Sequence, residues 1–291
     1  MSPGPRETMS RIVATTRGFV IRSRQRGDLA TVLGRSAKWG LLCTLRRPAT
    51  IPFGTHGGKL RLPARFGEGG AAPFVFRENY EPEIGYVDGA LQPGMVFVDG
   101  GANLGVYTVI ASNAVGDHGR VLSFEPGNDA YERLSANVAA NGATNISPRQ
   151  AALSDSSGHA PLYHTAGHSV SYSLAPDSDD DTSSEQVKTL TIDEVMAEEG
   201  LDRLDFVKLD VEGSEELALR GAEQSLARFR PTVMFETLSE AAISPDLSRD
   251  GAWNYLADHD YDFFTVDDGG ELVPASEPRE GNNIAVPRAG R

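Results

Sequence analysis

The sequence predicts an α/β fold built on a mostly parallel sheet with helices on both faces. Three observations carry that expectation. From Tyr80 onward, short apolar runs alternate with helical patterns, the order that βαβ units produce. The apolar run that ends at Asp99 enters the small-residue turn Gly100-Gly101-Ala102 and then a helical pattern. Acidic residues, Glu125 and Asp210, close two later apolar runs, where open α/β sheets place their ligands.

Two regions precede the alternating pattern. Residues 1 to about 48 are Arg-rich with scattered apolar positions and read as one or two helices. Residues 51–76 are punctuated by glycine and proline and read as short strands and loops. Residues 1–76 are therefore taken as a basic extension and 77–291 as the main domain. In that domain the apolar runs predict strands over 95–98, 120–124, 147–153, 206–209 and 232–235, with later strands over 262–266 and 283–286. Helices are expected over 104–114, 129–141, 191–199, 214–229 and 251–259. The second stops at Gly142, and Thr191 with Glu194 has the spacing of a capping box. Between the third strand and the 191–199 helix lies an insertion with apolar stretches over 159–164 and 169–174, then a polar acidic loop over 177–185.

The charge distribution narrows the function. The chain has 291 residues and a net charge of −14. Residues 1–65 hold eleven Arg and two Lys against Glu7 and Asp28, or +11, which leaves −14 − 11 = −25 for the rest. Such an acidic body repels phosphate backbones and excludes a nucleic-acid-binding catalytic domain. No apolar run reaches the roughly 20 residues that span a bilayer. Arg17 interrupts the run over 12–21, so no secretory signal is expected and the default location is cytoplasmic. Cys43, the single cysteine, allows no intramolecular disulfide and reads as a small buried hydrophobe. The acidic surplus with only four lysines is read as adaptation to salt, with an Arg-favouring coding bias as the alternative.

The turn after the first strand suits a zwitterionic ligand. Gly101 and Gly105 let a ligand approach the main chain closely, and the helix N-terminus beyond offers N–H groups to a carboxylate. Asp99 is placed to serve a cationic end, directly or through water. S-adenosylmethionine carries both ends in its amino-acid moiety. Glu125 at the second strand end can accept two hydrogen bonds from a ribose diol. Beyond the third strand, Ala151 and Ala152 leave space for a base ring. Asp155 either accepts from its amino group or caps a local turn. Asp210 and Glu212 follow the fourth strand: Asp210 is the candidate to orient an acceptor hydroxyl or take its proton, and Glu212 either joins it or favours the following helix N-terminus. Glu236 is a weaker candidate, and two carboxylates with Asp210 are poor evidence for a metal, so none is expected. His164 and His168 read as surface-loop residues.

The run VFVDGGANLGVYTV, followed by LSFEPGNDAYERLSANVAANG, AALSD, TLTIDEV and LDFVKLDVEGSEELALRGA, resembles the FkbM-type methyltransferases from about Glu78 to Asn283. The resemblance implies a class I methyltransferase fold, a seven-stranded sheet with one antiparallel strand, and S-adenosylmethionine as cofactor. It further implies that Asp99, Gly101 and Gly105 form the methionine loop, with Asn103 in place of the second glycine of the general pattern, and that Glu125 holds ribose. Acceptors in such a family are often sugar or natural-product hydroxyls, so O-methylation of a small-molecule or glycan hydroxyl, or alternatively a carboxyl, is expected.

The rival enzyme reading is an NAD-dependent oxidoreductase. Gly101 to Gly105 lacks the GxGxxG spacing that this chemistry uses. The Arg-rich arm, including Arg6, Arg11, Arg17, Arg22, Arg24 and Arg26, packs as a helical extension, docks weakly on an anionic membrane face to reach lipid-linked glycans, or is a transit-like segment.

Overall fold

The structure, a computed structural model, describes residues 29–66, 69–164, 172–173, 184–239 and 248–288. The Arg-rich arm before Leu29 and His168 lie outside the described residues, as does the side chain of His164. The chain divides into two compact units, one of residues 1–49 with 62–80 and one of 50–61 with 81–291.

In the smaller unit, helix α1 (Leu29–Thr44) buries Val32, Trp39 and Cys43 along one face. Trp39 packs on Phe74 of the short helix α2 (Ala71–Phe76), ring centres 5.0 Å apart. Arg35 Nη1 donates to the Val75 carbonyl oxygen at 3.1 Å, satisfying an end of α2.

The larger unit begins with the hairpin β1 (Ala49–Phe53) and β2 (Gly58–Leu62), then α3 (Pro82–Ala90), β3 (Val96–Gly100), α4 (Val106–Val115), β4 (Arg120–Phe124), α5 (Asn128–Asn141) and β5 (Ile146–Arg149). A second group follows: β6 (Ala152–Leu153), β7 (Gly158–His164), β8 (Tyr172–Ser173), β9 (Ser184–Leu190) and α6 (Ile192–Glu198). The unit closes with β10 (Phe206–Leu209), α7 (Glu215–Arg220), α8 (Glu223–Phe229), β11 (Thr232–Thr237), α9 (Gly251–Asp258), β12 (Tyr261–Val266), β13 (Leu272–Pro274) and β14 (Gly281–Pro287).

The main sheet has the order β13-β12-β14-β11-β10-β3-β4-β5. Strands β5, β4, β3, β10 and β11 pair in parallel, and β14 runs antiparallel to both β11 and β12. The short edge strand β13, which the sequence pattern did not announce, adds an eighth strand to the expected seven. All five positions of β3 are buried, as a central strand covered on both faces requires. Phe97 of β3 stacks on Phe206 of β10 at 5.4 Å. Val98, Leu122, Val207, Leu209, Val233 and Phe235 fill the core at no more than 1% exposure.

Helix α5 is tied to the hairpin through two amides one turn apart. Asn141 accepts from the Lys59 N–H and donates to the Lys59 carbonyl, both at 2.8 Å. Asn137 does the same for Arg61, at 2.6 and 3.2 Å, and also donates to the Leu104 carbonyl at 2.8 Å.

Besides β13, helix α2 falls in a stretch read as strands and loops, α3 was not expected, and three expected elements are altered. The strand over 147–153 is divided, β5 joining the main sheet and β6 pairing with β9 in a second sheet of order β6-β9-β7-β8. Ala151 N–H turns back onto the Arg149 carbonyl at 3.0 Å and takes the chain out of the first ladder. The helix over 214–229 is broken into α7 and α8 at Gly221. A Cβ there would lie 2.1 Å from the Ser154 carbonyl oxygen, and Gly221 O accepts from Asp193 N–H at 3.0 Å. The acidic loop over 177–185 loses its last two residues to β9, and 177–183 lie outside the described residues. At α6, Thr191 Oγ1 accepts the Glu194 N–H at 3.1 Å, one half of the capping box. The other half is diverted: the Glu194 carboxylate takes the Ser157 hydroxyl, and Thr191 N–H goes to Ser157 Oγ.

Candidate functional site

The parallel strands β3, β4 and β10 end side by side, and the loops beyond them enclose an open cleft of about 600 Å³. Its polar wall comes from Gly101, Asn103 and Glu125, and its apolar wall from Ala152, Leu153 and Leu162 with Pro126 and Ala151. Asp210, Val211 and Glu212 close the third side.

The loop after β3 is shaped by close approach. Gly101 has φ +70°, and a Cβ on it would lie 1.8 Å from the Asp210 carbonyl oxygen. Only glycine allows the β3 and β10 loops to touch in this way. Asn103, at φ +48°, follows in the left-handed region that non-glycine residues seldom occupy. Its N–H donates to Glu125 Oε2 at 2.9 Å, while Gly127 N–H donates to Oε1 at 3.0 Å. The two backbone bonds fix the Glu125 carboxylate and leave lone pairs free on both oxygens, since a carboxylate offers about four acceptor sites. Asn103 lines the cleft, and its Oδ1 is buried with no hydrogen-bond partner. Burial pushes the Glu125 pKa up to about 7, against the pull of the Gly127 and Asn103 N–H groups.

Behind the loop stands a residue that the sequence reading did not single out. Lys208 in β10 is 3% exposed, with Nζ 3.3 Å from Asp210 Oδ2 and 3.4 Å from Asp99 Oδ1. It also donates to the carbonyls of Gly101 at 3.0 Å and Gly100 at 3.3 Å, and it lies 5.4 Å from the Tyr107 ring centre. Burial works against the ammonium, yet the Asp210 and Asp99 carboxylates outweigh it and hold the pKa above the ordinary lysine value. The signal was present in the sequence as a lysine inside an otherwise apolar strand.

Asp99 is fully buried one layer beneath the cleft. Its Oδ2 accepts the Thr108 hydroxyl at 2.6 Å, and it is absent from the lining. The structure thus places this carboxylate beneath the glycine loop and against Lys208, outside the cleft lining. Gly105 caps α4 at φ +80° and packs against Leu134 rather than on the cleft. Ala152 is in the lining, whereas exposed Asp155 is not and accepts from the Ser154 and Ser156 hydroxyls.

Asp210 and Glu212 both line the cleft, and Glu212 sits at φ +53°. Glu215 underpins this loop: its buried Oε1 accepts from Val211 N–H at 2.9 Å and Gly213 N–H at 3.3 Å. The pairing of Leu209 with Phe235 brings Asp210 level with Glu236 at the ends of β10 and β11, and the two side chains hydrogen-bond. Burial first, then the Asp210 charge, raise the Glu236 pKa to about 9, so this pair holds one proton at neutral pH. Burial likewise raises Glu81, which accepts the Tyr107 hydroxyl at 2.8 Å, to about 7. Of these raised carboxyls, Glu125 lines the cleft and Glu236 is hydrogen-bonded to the lining residue Asp210. Among the described residues no group of three or more His, Cys, Asp or Glu is arranged to hold a metal ion, and no helix is long and apolar enough to cross a membrane.

Comparisons with known proteins identify the family of the chain. The family described as "Methyltransferase FkbM domain" matches residues 99–263, over half of the chain. The methyltransferase sdnD of Sordaria araneosa is 26% identical over 205 residues, 60% of this chain and 78% of the relative. The hexuronic acid methyltransferase AglP of Haloferax volcanii is 29% identical over 170 residues, 53% of this chain and 65% of the relative. Among solved structures, the FkbM methyltransferase from Methylobacillus flagellatus superposes with a TM-score of 0.45 at 17% identity, over 70% of this chain and 50% of that one.

Proposed function

This chain belongs to the FkbM methyltransferase family, and from that premise we propose that it is an S-adenosylmethionine-dependent O-methyltransferase whose acceptor is a hydroxyl of a sugar or small molecule. The observation that carries the reading is the juxtaposition in one cleft of Asn103, Glu125 and Asp210. Family membership speaks against the NAD-dependent alternative.

S-adenosylmethionine, when bound, supplies a methyl group on a positively charged sulfur. The residues present fit it. Glu125 has lone pairs left for a ribose diol, Asn103 Oδ1 can accept from an ammonium or hydroxyl, and Ala152, Leu153 and Leu162 give an apolar wall for a base ring. Methyl transfer to oxygen then needs a line of acceptor, carbon and sulfur, which is a matter of positioning. Asp210 accepts the hydroxyl proton as the new bond to oxygen forms. Lys208 Nζ lies 3.3 Å from Asp210 on one side, and Glu236 hydrogen-bonds it on the other.

The carboxyl groups of Asp210 and Glu212 on the cleft wall disfavour an anionic acceptor group at the reacting position, which supports a hydroxyl over a carboxylate. The relative that acts on a hexuronic acid supports a sugar acid as the molecule bearing that hydroxyl.

Isothermal calorimetry with S-adenosylhomocysteine and with NADH tests the cofactor. Uptake of the first and not the second is expected, and the reverse would overturn the proposal. Asp210→Asn should lower turnover by about a hundredfold or more while leaving S-adenosylhomocysteine affinity nearly unchanged. Wild-type turnover in that variant would remove Asp210 as the base.

A further inference from the structure

The smaller unit shows a feature that methyl transfer does not use. Helix α1 buries one face through Val32, Trp39 and Cys43, and yet it is apolar on the other side as well. Leu29, Leu33, Leu41 and, just past its end, Leu45 are 46%, 55%, 59% and 54% exposed. With exposed Ala37 they recur every four residues and form one continuous ridge. Phe66, in the same unit, is 72% exposed. Among the described residues, the large exposed hydrophobics outside this unit reduce to Val273. An apolar patch gathered in this way marks an interaction surface.

The charge of the segment says what kind of surface it meets. From Leu29 to Ala49 there are four basic residues (Arg35, Lys38, Arg46 and Arg47) and no Asp or Glu, in a chain whose net charge is −14. Lys38, Arg46 and Arg47 are exposed beside the leucine ridge. A second copy of this segment would bring like charges together. An anionic bilayer offers both what the leucines need, an apolar layer below the headgroups, and what the basic side chains need, a negative surface potential. The helix has 16 residues, about 24 Å at 1.5 Å per residue, and so it would lie in the interface and not cross it. We infer that α1, with Leu45, docks this chain on an anionic lipid surface, leucines inserted and Lys38, Arg46 and Arg47 at headgroup level.

Flotation of the purified full chain with lipid vesicles tests the inference, and it does so without any assay of methyl transfer. At about 50 mM salt, where screening is weak, the protein should float with phosphatidylcholine vesicles containing about one third phosphatidylglycerol and stay behind with pure phosphatidylcholine. Leu33→Glu/Leu41→Glu should lower the bound fraction at least about tenfold, and Lys38→Glu/Arg46→Glu/Arg47→Glu should abolish the preference for anionic vesicles. These positions are exposed, so circular dichroism and melting point should stay as in wild type, separating lost docking from lost folding. Three outcomes would overturn the inference: no flotation of the wild-type chain, equal binding to both vesicle types, or leucine variants that float as wild type does. Light scattering that finds a dimer converted to monomer by the leucine substitutions would also overturn it, by assigning the ridge to a second copy.

Discussion

Lys208 Nζ stands between two carboxylates, 3.4 Å from Asp99 and 3.3 Å from Asp210, in a position only 3% exposed. One partner lies under the glycine loop and the other opens on the cleft. The cation therefore couples the shape of the loop after β3 to the charge at the end of β10.

Replacing Lys208 by Met leaves Asp99 buried beside no cation. Removing one partner of a buried pair costs about 3–5 kcal/mol, so Lys208→Met should lose roughly that much in urea unfolding. Asp99→Asn combined with Lys208→Met should recover a substantial part of the loss. If the double variant were no more stable than the single one, the pair would not be the source.

Gly101→Ala meets two obstacles at once, a φ of +70° and a Cβ placed 1.8 Å from the Asp210 carbonyl oxygen. The loops after β3 and β10 must part. Affinity for S-adenosylhomocysteine should fall by at least about tenfold, equivalent to 1.4 kcal/mol, and calorimetry reads it directly.

Glu125→Gln keeps the size of the side chain and exchanges one acceptor oxygen for a donor nitrogen. That nitrogen must face either the Asn103 or the Gly127 N–H, both of which now donate to the carboxylate. Hydrogen bonds to a charged group contribute about 1.5–3 kcal/mol, so a ten- to hundredfold loss of S-adenosylhomocysteine affinity is expected. A wild-type dissociation constant in this variant would exclude Glu125 from the cofactor site.

Two carboxyls with opposite shifts should shape the stability–pH curve. Glu236 is raised from 4.5 to about 9 by burial and by Asp210, so the folded state holds its proton more tightly than the unfolded one. Its contribution is greatest below pH 4.5 and is lost as pH rises through that window. Glu199 is lowered to about 2: burial opposes its ionisation, but hydrogen bonds from Ser147, Arg120 and Arg149 prevail. Its contribution is present above 4.5 and is lost as pH falls toward 2. Thermal melts across pH should show a flatter alkaline limb in Glu236→Gln and a flatter acid limb in Glu199→Gln, each leaving the other limb in place.

The strands and helices of the main sheet were legible because their signals are local. Val96 to Gly105 spells a strand, a turn and a helix start within ten residues, and Asn128 to Gly142 spells a helix with its stop. What was not legible depended on partners distant in sequence. Gly221 breaks a helical pattern because Ser154, far earlier in the chain, presses on it. Asp99 carries the pattern of a ligand contact, and only the packing of Lys208 and Thr108 places it underneath the cleft. Leu162 reaches the cleft through a second sheet that forms when the chain leaves the first at Ala151, and no periodicity announces that departure.

The amides of Asn137 and Asn141 occupy the hydrogen-bonding positions of Lys59 and Arg61 that a neighbouring strand would otherwise take. A two-stranded hairpin normally offers its free margin to any extended segment nearby, including one from another molecule, and so seeds aggregation. Here a helix occupies that margin with side chains alone. Crowded expression should therefore be tolerated as long as both asparagines remain, and a clump-prone phenotype is the foreseeable result of replacing them with alanine.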